Sequence, residues 1–299
     1  MWYKLINSFS VDVHASTSGR SMKTPSGHQL KTLGPLASLL VAELHERGRS
    51  LFSLRDVREI TRLKPGLARS FMAKLVIRGI ATRLEPGLFI LVPFELGRAR
   101  QFTGNPYPIA RELAGGRAYY ISHASAMDIH QMLTQPQLVI YVTTPRPLRP
   151  KVIHGTQFRF VHCRRRDLFG TMEHWVDKTE KVTVSDMERT VIDGLRQPDY
   201  CGGIVGVTKG FWMHRKDLDP KRLVDYALRL RIGAVVRRLG LLMELCGIEA
   251  PEQLARLRHT LTETYTLLDP GLPADGHFQR RWRLRLNVTP EELRAAVRT

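Results

Sequence analysis

The side chains whose types and spacing could do chemistry fall into three groups. In the segment VSDMERTVIDGL, Asp186, Glu188 and Asp193 surround Arg189, and three carboxylates so close could hold a metal ion for phosphodiester cleavage. Arg189 and Asp193 are four residues apart, however, which is the spacing of an ion pair on one helix face. A metal nuclease generally places its carboxylates on strands with a lysine beside them, and no such set is present, so a structural role is expected. In YYISHASAMDIHQM, Ser122, His123, Ser125 and His130 suggest a hydrolase. Neither serine sits in a G-x-S-x-G elbow, so the expectation is a capped helix start, with Ser122 or Ser125 accepting from free amides and His130 packing. Cys201 beside Gly202 and Gly203 could be a nucleophile, but no base is paired with it, and two glycines read as a tight turn. No GxxxxGK[ST] or GxGxxG phosphate loop occurs. The three cysteines, Cys163, Cys201 and Cys246, form no CxxC pair, so no zinc site is expected. The reading is of a protein that is not an enzyme and carries no cofactor or metal.

What remains is charge. The 299 residues carry 46 Lys+Arg against 28 Asp+Glu, a formal net charge of +18. So large an excess favours polyanions, through phosphate contacts and counterion release. The sparse, odd cysteine count suits a reducing cytoplasm, and no apolar run approaches the roughly 20 residues that span a bilayer. Residues 1–30 lack the apolar core of a signal peptide and read as a disordered extension, with Met22 an alternative start.

The elements that would position the cations lie in residues 31–97. From Pro35 to Gly48, Leu36, Leu39, Leu40 and Leu44 recur at helical spacing. Ser53 and Asp56 form the ends of a capping box, with Leu54, Val57 and Ile60 facing inward. Lys64-Pro65-Gly66 breaks the chain before a third helix, LARSFMAKLVIRG. On it Ala68, Phe71, Met72 and Leu75 share one face, leaving Arg69, Ser70, Ala73 and Lys74 opposite. Short and basic residues suit a helix that approaches base edges and phosphates. Residues 80–84 and 88–92 read as strands around the turn Glu85-Pro86-Gly87. Three helices followed by a small hairpin predict a winged helix-turn-helix. Arg83 lies on the wing, and Arg62 and Lys64 sit where the recognition helix begins, a place for phosphate contacts. The predicted DNA-contacting set is therefore Arg62, Lys64, Arg69, Ser70, Ala73, Lys74 and Arg83.

A linker with Gly104, Pro106 and Pro108 leads into residues 105–299, which read as a larger mixed α+β domain, so the fold class expected is α+β. Strands are predicted at Leu138–Thr143, Phe158–Cys163 and Val182–Ser185. Helices are predicted after Asp186, near 221–231, 233–246 and 251–260, and after Thr289 with Pro290 at the first position. The basic pieces Arg164–Arg166, Arg237-Arg238 and Arg280–Arg285 either steer nucleic acid or serve as solvated faces and ion-pair partners. In RRWRLRL, alternation points Trp282, Leu284 and Leu286 inward and Arg281, Arg283 and Arg285 outward.

From Leu33 onward the chain resembles the AbiEi-type antitoxins and related regulators of type IV toxin–antitoxin systems. The resemblance is carried, in order, by LVIRGIATRLEPGLFILVP, YYISHASAMDIHQM, VSDMERTVIDGL with PDYCGG after it, VVRRLGLLMELCGI, and LDP followed by RWRLRLN. It implies a winged helix that binds inverted repeats in double-stranded DNA of its own promoter and represses it. It also implies a second domain that helps that binding and counters a nucleotidyltransferase-like toxin encoded nearby, without a stable complex being required. The alternatives are a lone transcriptional regulator without a toxin, and a nucleic-acid-processing enzyme with a winged-helix targeting arm.

Overall fold

The computed structural model describes residues 33–97, 99, 101–116, 118–135, 138–178 and 180–296, so the predicted extension at residues 1–30 lies outside the described residues. The fold is mixed α+β.

Pro35 occupies the first turn of α1 (Pro35–Glu46), where its missing N–H costs nothing. The residues turned inward are Ala37, Leu40, Val41 and Leu44, at i, i+3, i+4 and i+7. Leu36 and Leu39, expected on that stripe, are 41% and 47% exposed. A short strand, β1 (Leu51–Ser53), then runs straight into α2 (Leu54–Thr61). The capping box at their junction forms as expected. The Asp56 amide donates to Ser53 Oγ at 3.2 Å, and the Ser53 amide donates to the Asp56 carboxylate at 2.6 Å. Burial would raise the Asp56 pKa, but the Ser53 hydroxyl and amide, both donating to its carboxylate, outweigh it together with Arg49 and lower the value. Arg62, in the left-handed region at φ 57°, turns the chain into α3 (Pro65–Ile77), which starts at Pro65 itself. After Gly79 come β2 (Ala81–Glu85) and β3 (Leu88–Leu91). The sheet order is β1-β3-β2, antiparallel throughout.

All four residues of β3 are buried, because both faces of this small sheet are covered. Phe89 and Leu91 join the core of α1–α3. Leu88 and Ile90, with Leu51 and Leu84, pack instead with Ile109 and Leu113 of α4 (Pro106–Ala114) and with the sheet beyond. The segment read as a linker therefore already contains a helix, capped by the Asn105 side chain and ended by Gly115 at φ 90°.

That larger sheet has six strands: β4 (Tyr120–Ile121), β5 (Val139–Thr144), β6 (Lys151–Ile153), β7 (Thr156–His162), β8 (Thr171–Trp175) and β9 (Lys181–Ser185). Their order is β6-β7-β5-β4-β9-β8. The pairs β5–β7 and β4–β9 are parallel and the others antiparallel. A short helix, α5 (His123–Ile129), follows β4 and is tied to β5 by Ser125, whose hydroxyl donates to the Val139 carbonyl and accepts from the Tyr141 amide.

The remaining helices are α6 (Met187–Arg196), α7 (Gly203–Met213), α8 (Pro220–Leu230), α9 (Gly233–Leu245), α10 (Pro251–His259) and α11 (Pro290–Ala296). They enclose the largest apolar cluster together with a three-stranded sheet, β10 (Thr266–Leu267), β11 (His277–Gln279) and β12 (Leu284–Leu286), in the order β10-β12-β11. Trp282 is wholly buried there and its indole N–H donates to Glu244 at 2.9 Å. The predicted inward set Trp282, Leu284 and Leu286 is buried, although only residues 284–286 are strand and Arg283 takes φ 52°. Among the described residues, no helix is long and apolar enough to cross a membrane.

Candidate nucleic-acid interface

The inward face of α3 is Ala68, Met72 and Leu75, each 1% exposed or less, with Phe71 and Val76 half-buried beside them. At 3.6 residues per turn, the line opposite that stripe runs through Gly66, Ser70, Ala73 and Ile77. Three of these four side chains are small or absent, so the backbone itself can come close to a surface laid against it. Arg69 and Lys74 flank the line on its two sides, and both are exposed. Arg62 and Lys64 are exposed in the turn that leads into α3, where Lys64 occupies the N-cap position. Arg83 is exposed on β2. All seven residues singled out from the sequence are thus at the surface, six of them on α3 or the turn before it, and Arg83 on the adjoining sheet. Sequence reasoning passed over Leu67 and Ile77, which are 59% and 74% exposed on the same helix, and over Arg55 and Arg58, exposed on α2 at i, i+3. Their signal lay in the helical wheel: each falls away from the buried stripe of its helix.

Within residues 60–84 the formal charges are all of one sign. Residues 60–84 contain six cations, Arg62, Lys64, Arg69, Lys74, Arg78 and Arg83, and no carboxylate. The first turn of α3 has no acidic residue, so its free amides and positive dipole end add to the same field.

The other candidates are engaged elsewhere. Arg189 is fully buried: its Nε donates to Asp193 at 3.0 Å and its terminal nitrogen to the Tyr120 hydroxyl at 2.8 Å. Tyr120 in turn donates to the other Asp193 oxygen at 2.9 Å, and the guanidinium lies 4.3 Å from the Phe169 ring centroid. Burial opposes the Arg189 charge, but Asp193 and Tyr120 outweigh it and raise its pKa. Asp186 caps α6 through the Arg189 amide and accepts from Arg222 and Tyr226. Glu188 accepts from the Asp219 amide and pairs with Arg222. Each carboxylate of the apparent acidic set is therefore an ion-pair or capping partner. Among the described residues, no group of three or more His, Cys, Asp or Glu is placed to hold a metal ion.

Ser122 and Ser125 do not cap α5 as expected. Ser122 Oγ sits 2.8 Å from His123 Nδ1 and accepts from Thr143, while Ser125 serves β5. His123, at φ 51°, is packed against Tyr141 and Tyr200, and burial lowers its pKa to about 4. His130 meets the Ser185 carbonyl at 2.7 Å. Burial raises the pKa of all three thiols, Cys163 to about 11, Cys246 to about 12 and Cys201 further. Gly202 and Gly203 have φ of 77° and 75° and make the expected turn.

Of the basic pieces, Arg164, Arg165 and Arg166 are exposed. Arg237 and Arg238 are not a surface feature, being 3% and 4% exposed. Arg238 donates to the carbonyls of Leu195 and Leu267, and Arg237 donates to Thr262 and Thr264. Arg281 pairs with Glu244 at 2.6 Å, and Arg283 and Arg285 lie over the rings of Tyr265 and Phe278.

No family model and no curated protein matches the chain. Among solved structures, the fold is similar to that of the Rv2827c protein from Mycobacterium tuberculosis, with a TM-score of 0.65 at 16% identity, covering 92% of this chain and 98% of that one. The likeness is one of fold, over nearly the whole length of both chains.

Proposed function

We propose that residues 33–97 form a winged helix-turn-helix with α3 as recognition helix and the β2–β3 hairpin as wing, and that the protein is a sequence-specific DNA-binding repressor of the AbiEi antitoxin type. The observation that carries this reading is the stretch of residues 60–84, which exposes its cations around a small-residue helix face and holds no carboxylate. An α-helix whose outermost residues are Gly66, Ser70 and Ala73 fits the floor of a major groove, and Arg69 and Lys74 on its flanks meet the phosphates or guanine edges at the groove walls. The order helix–strand–helix–helix–strand–strand supports the winged-helix assignment, with Arg62 and Lys64 placed for backbone phosphates. The resemblance outlined above supports the finer reading: autorepression of its own promoter through inverted repeats, and antagonism of a nucleotidyltransferase-like toxin.

The test is a mobility shift on the duplex upstream of its own reading frame against a random duplex of equal length, at physiological salt. The expected outcome is tighter binding to its own DNA by about 1,000-fold or more. Equal affinity for the two would refute a sequence-specific role.

A further inference from the structure

The wing in this fold is tied down. Leu84 and Leu88, on either side of its turn, are both 8% exposed and packed into the core shared with α4. The free edge of β2 receives the β6–β7 turn. His154 Nε2–H donates to the Arg83 carbonyl at 3.1 Å, and Lys151 pairs with Glu85 at 2.5 Å. His154 and Gly155 make that turn with φ of 45° and 83°, so the two hairpins sit side by side.

This contact joins two carboxylate-free stretches that are far apart in the chain. One is residues 60–84. The other runs from residue 129 to residue 166, with no acid between Asp128 and Asp167, and includes Arg149, Lys151 and Arg159 around the hairpin. The carboxylate at the junction is Glu85, and Lys151 neutralises it. Arg149, Val152, His154 and Arg159 are exposed, Val152 by 70%.

We propose that the β6–β7 hairpin is part of the nucleic-acid surface, contacting the phosphate backbone of the duplex beside the groove that α3 occupies, in the position a longer and freer wing would take. The proposal rests on the DNA-binding reading above. The cation of the anchored wing is Arg83, and the hairpin hydrogen-bonded to the backbone of that same residue adds Arg149 and Lys151 to the positive surface. Phosphate contacts are sequence-independent, so this hairpin adds affinity and sets the orientation of the protein on the duplex without reading bases.

The experiment places charge on the hairpin at a side chain with room to change. Full-length Val152→Lys and Val152→Glu are compared with Met213→Lys, a control on α7 where the native side chain is 43% exposed. Fluorescence anisotropy is read with a labelled duplex of its own upstream region and with a random duplex, over a series of salt concentrations. Val152→Lys is expected to tighten binding to both duplexes several-fold and to steepen the slope of log affinity against log salt by about one. Val152→Glu is expected to weaken both by a similar factor. If Val152→Lys and Met213→Lys behave alike while Arg69→Ala still weakens binding, the hairpin proposal is overturned and the α3 reading stands. If the unmodified protein binds neither duplex, both are overturned.

Discussion

Replacing Asp193 by Leu removes the counter-charge of a fully buried arginine. Arg189 and Asp193 are 0% and 2% exposed, and the pair is closed by the Tyr120 hydroxyl, which accepts from one and donates to the other. Breaking a buried pair by removing one partner costs about 3–5 kcal/mol, because the remaining charge cannot be rehydrated. For a body of this size that corresponds to a fall in Tm of roughly 6–20 °C. The companion variants separate this from a loss of packing. In Arg189→Met with Asp193→Leu, no charge of the pair is left buried, but the Tyr120 hydroxyl loses its bonds to these two side chains, at a cost of about 1–3 kcal/mol. Adding Tyr120→Phe removes that orphan, and the triple variant is expected within about 1 kcal/mol of the original protein. Thermal unfolding followed by circular dichroism measures the series. A single variant as stable as the original, or a triple variant no better than the single one, would refute the view that these residues form a self-contained structural unit. So would a nuclease activity of the purified protein that Asp193→Leu abolishes at unchanged Tm.

Acid should weaken the fold through His123. Its pKa, about 4 in the folded protein through burial, reinforced by Arg189 and Arg196 against Asp193, lies below the usual 6.5. Between those values the unfolded chain takes up a proton that the folded one refuses, so stability declines as pH falls from 6.5 to about 4, by up to roughly 3 kcal/mol. His123→Asn, a residue that tolerates the positive φ, should flatten that decline in chemical unfolding measured across the range; an unchanged slope would assign it to other groups. Ser53→Ala removes both the capping acceptor and a partner of Asp56, and should lower the stability of residues 33–97 by about 1 kcal/mol, seen as faster amide exchange in α2. Gly240→Ala would drive a methyl into the buried Trp282 ring and should cost about 1–3 kcal/mol with a shifted tryptophan emission; an unchanged Tm would contradict the packing described.

Local chemistry was what the amino-acid sequence made legible. Ser53 and Asp56 announced the start of α2, and Pro86-Gly87 between two apolar runs announced the β2–β3 hairpin. The alternation of RRWRLRL announced which residues point inward, even where the backbone there is a turn. What stayed hidden depends on partners remote in sequence. The three residues of β1 carry no pattern of their own and are strand because β3 lies beside them. The strand β8, TMEHW, is mostly exposed and has no apolar alternation to betray it. Arg237 and Arg238 read as surface charge, yet carbonyls from α6, β10 and the loop before it draw both inside. Asn105, Pro106 and Gly115 marked α4 at both ends, but Gly104 and Pro108 in the same stretch suggested a linker. For the candidate interface, the seven named residues were visible as a helix face, a turn and one strand of the hairpin. The position of Lys151 and His154 beside β2 was not, since only the docking of β6–β7 brings them there.

Whether α3 carries the nucleic-acid contact is decided by the salt dependence of duplex affinity, compared between the original protein and Arg69→Ala with Lys74→Ala. With α3 in contact, the double variant binds its own upstream duplex at least about 10-fold more weakly, with a salt slope shallower by about one to two. An unchanged affinity and an unchanged slope, with the fold intact by circular dichroism, would contradict it.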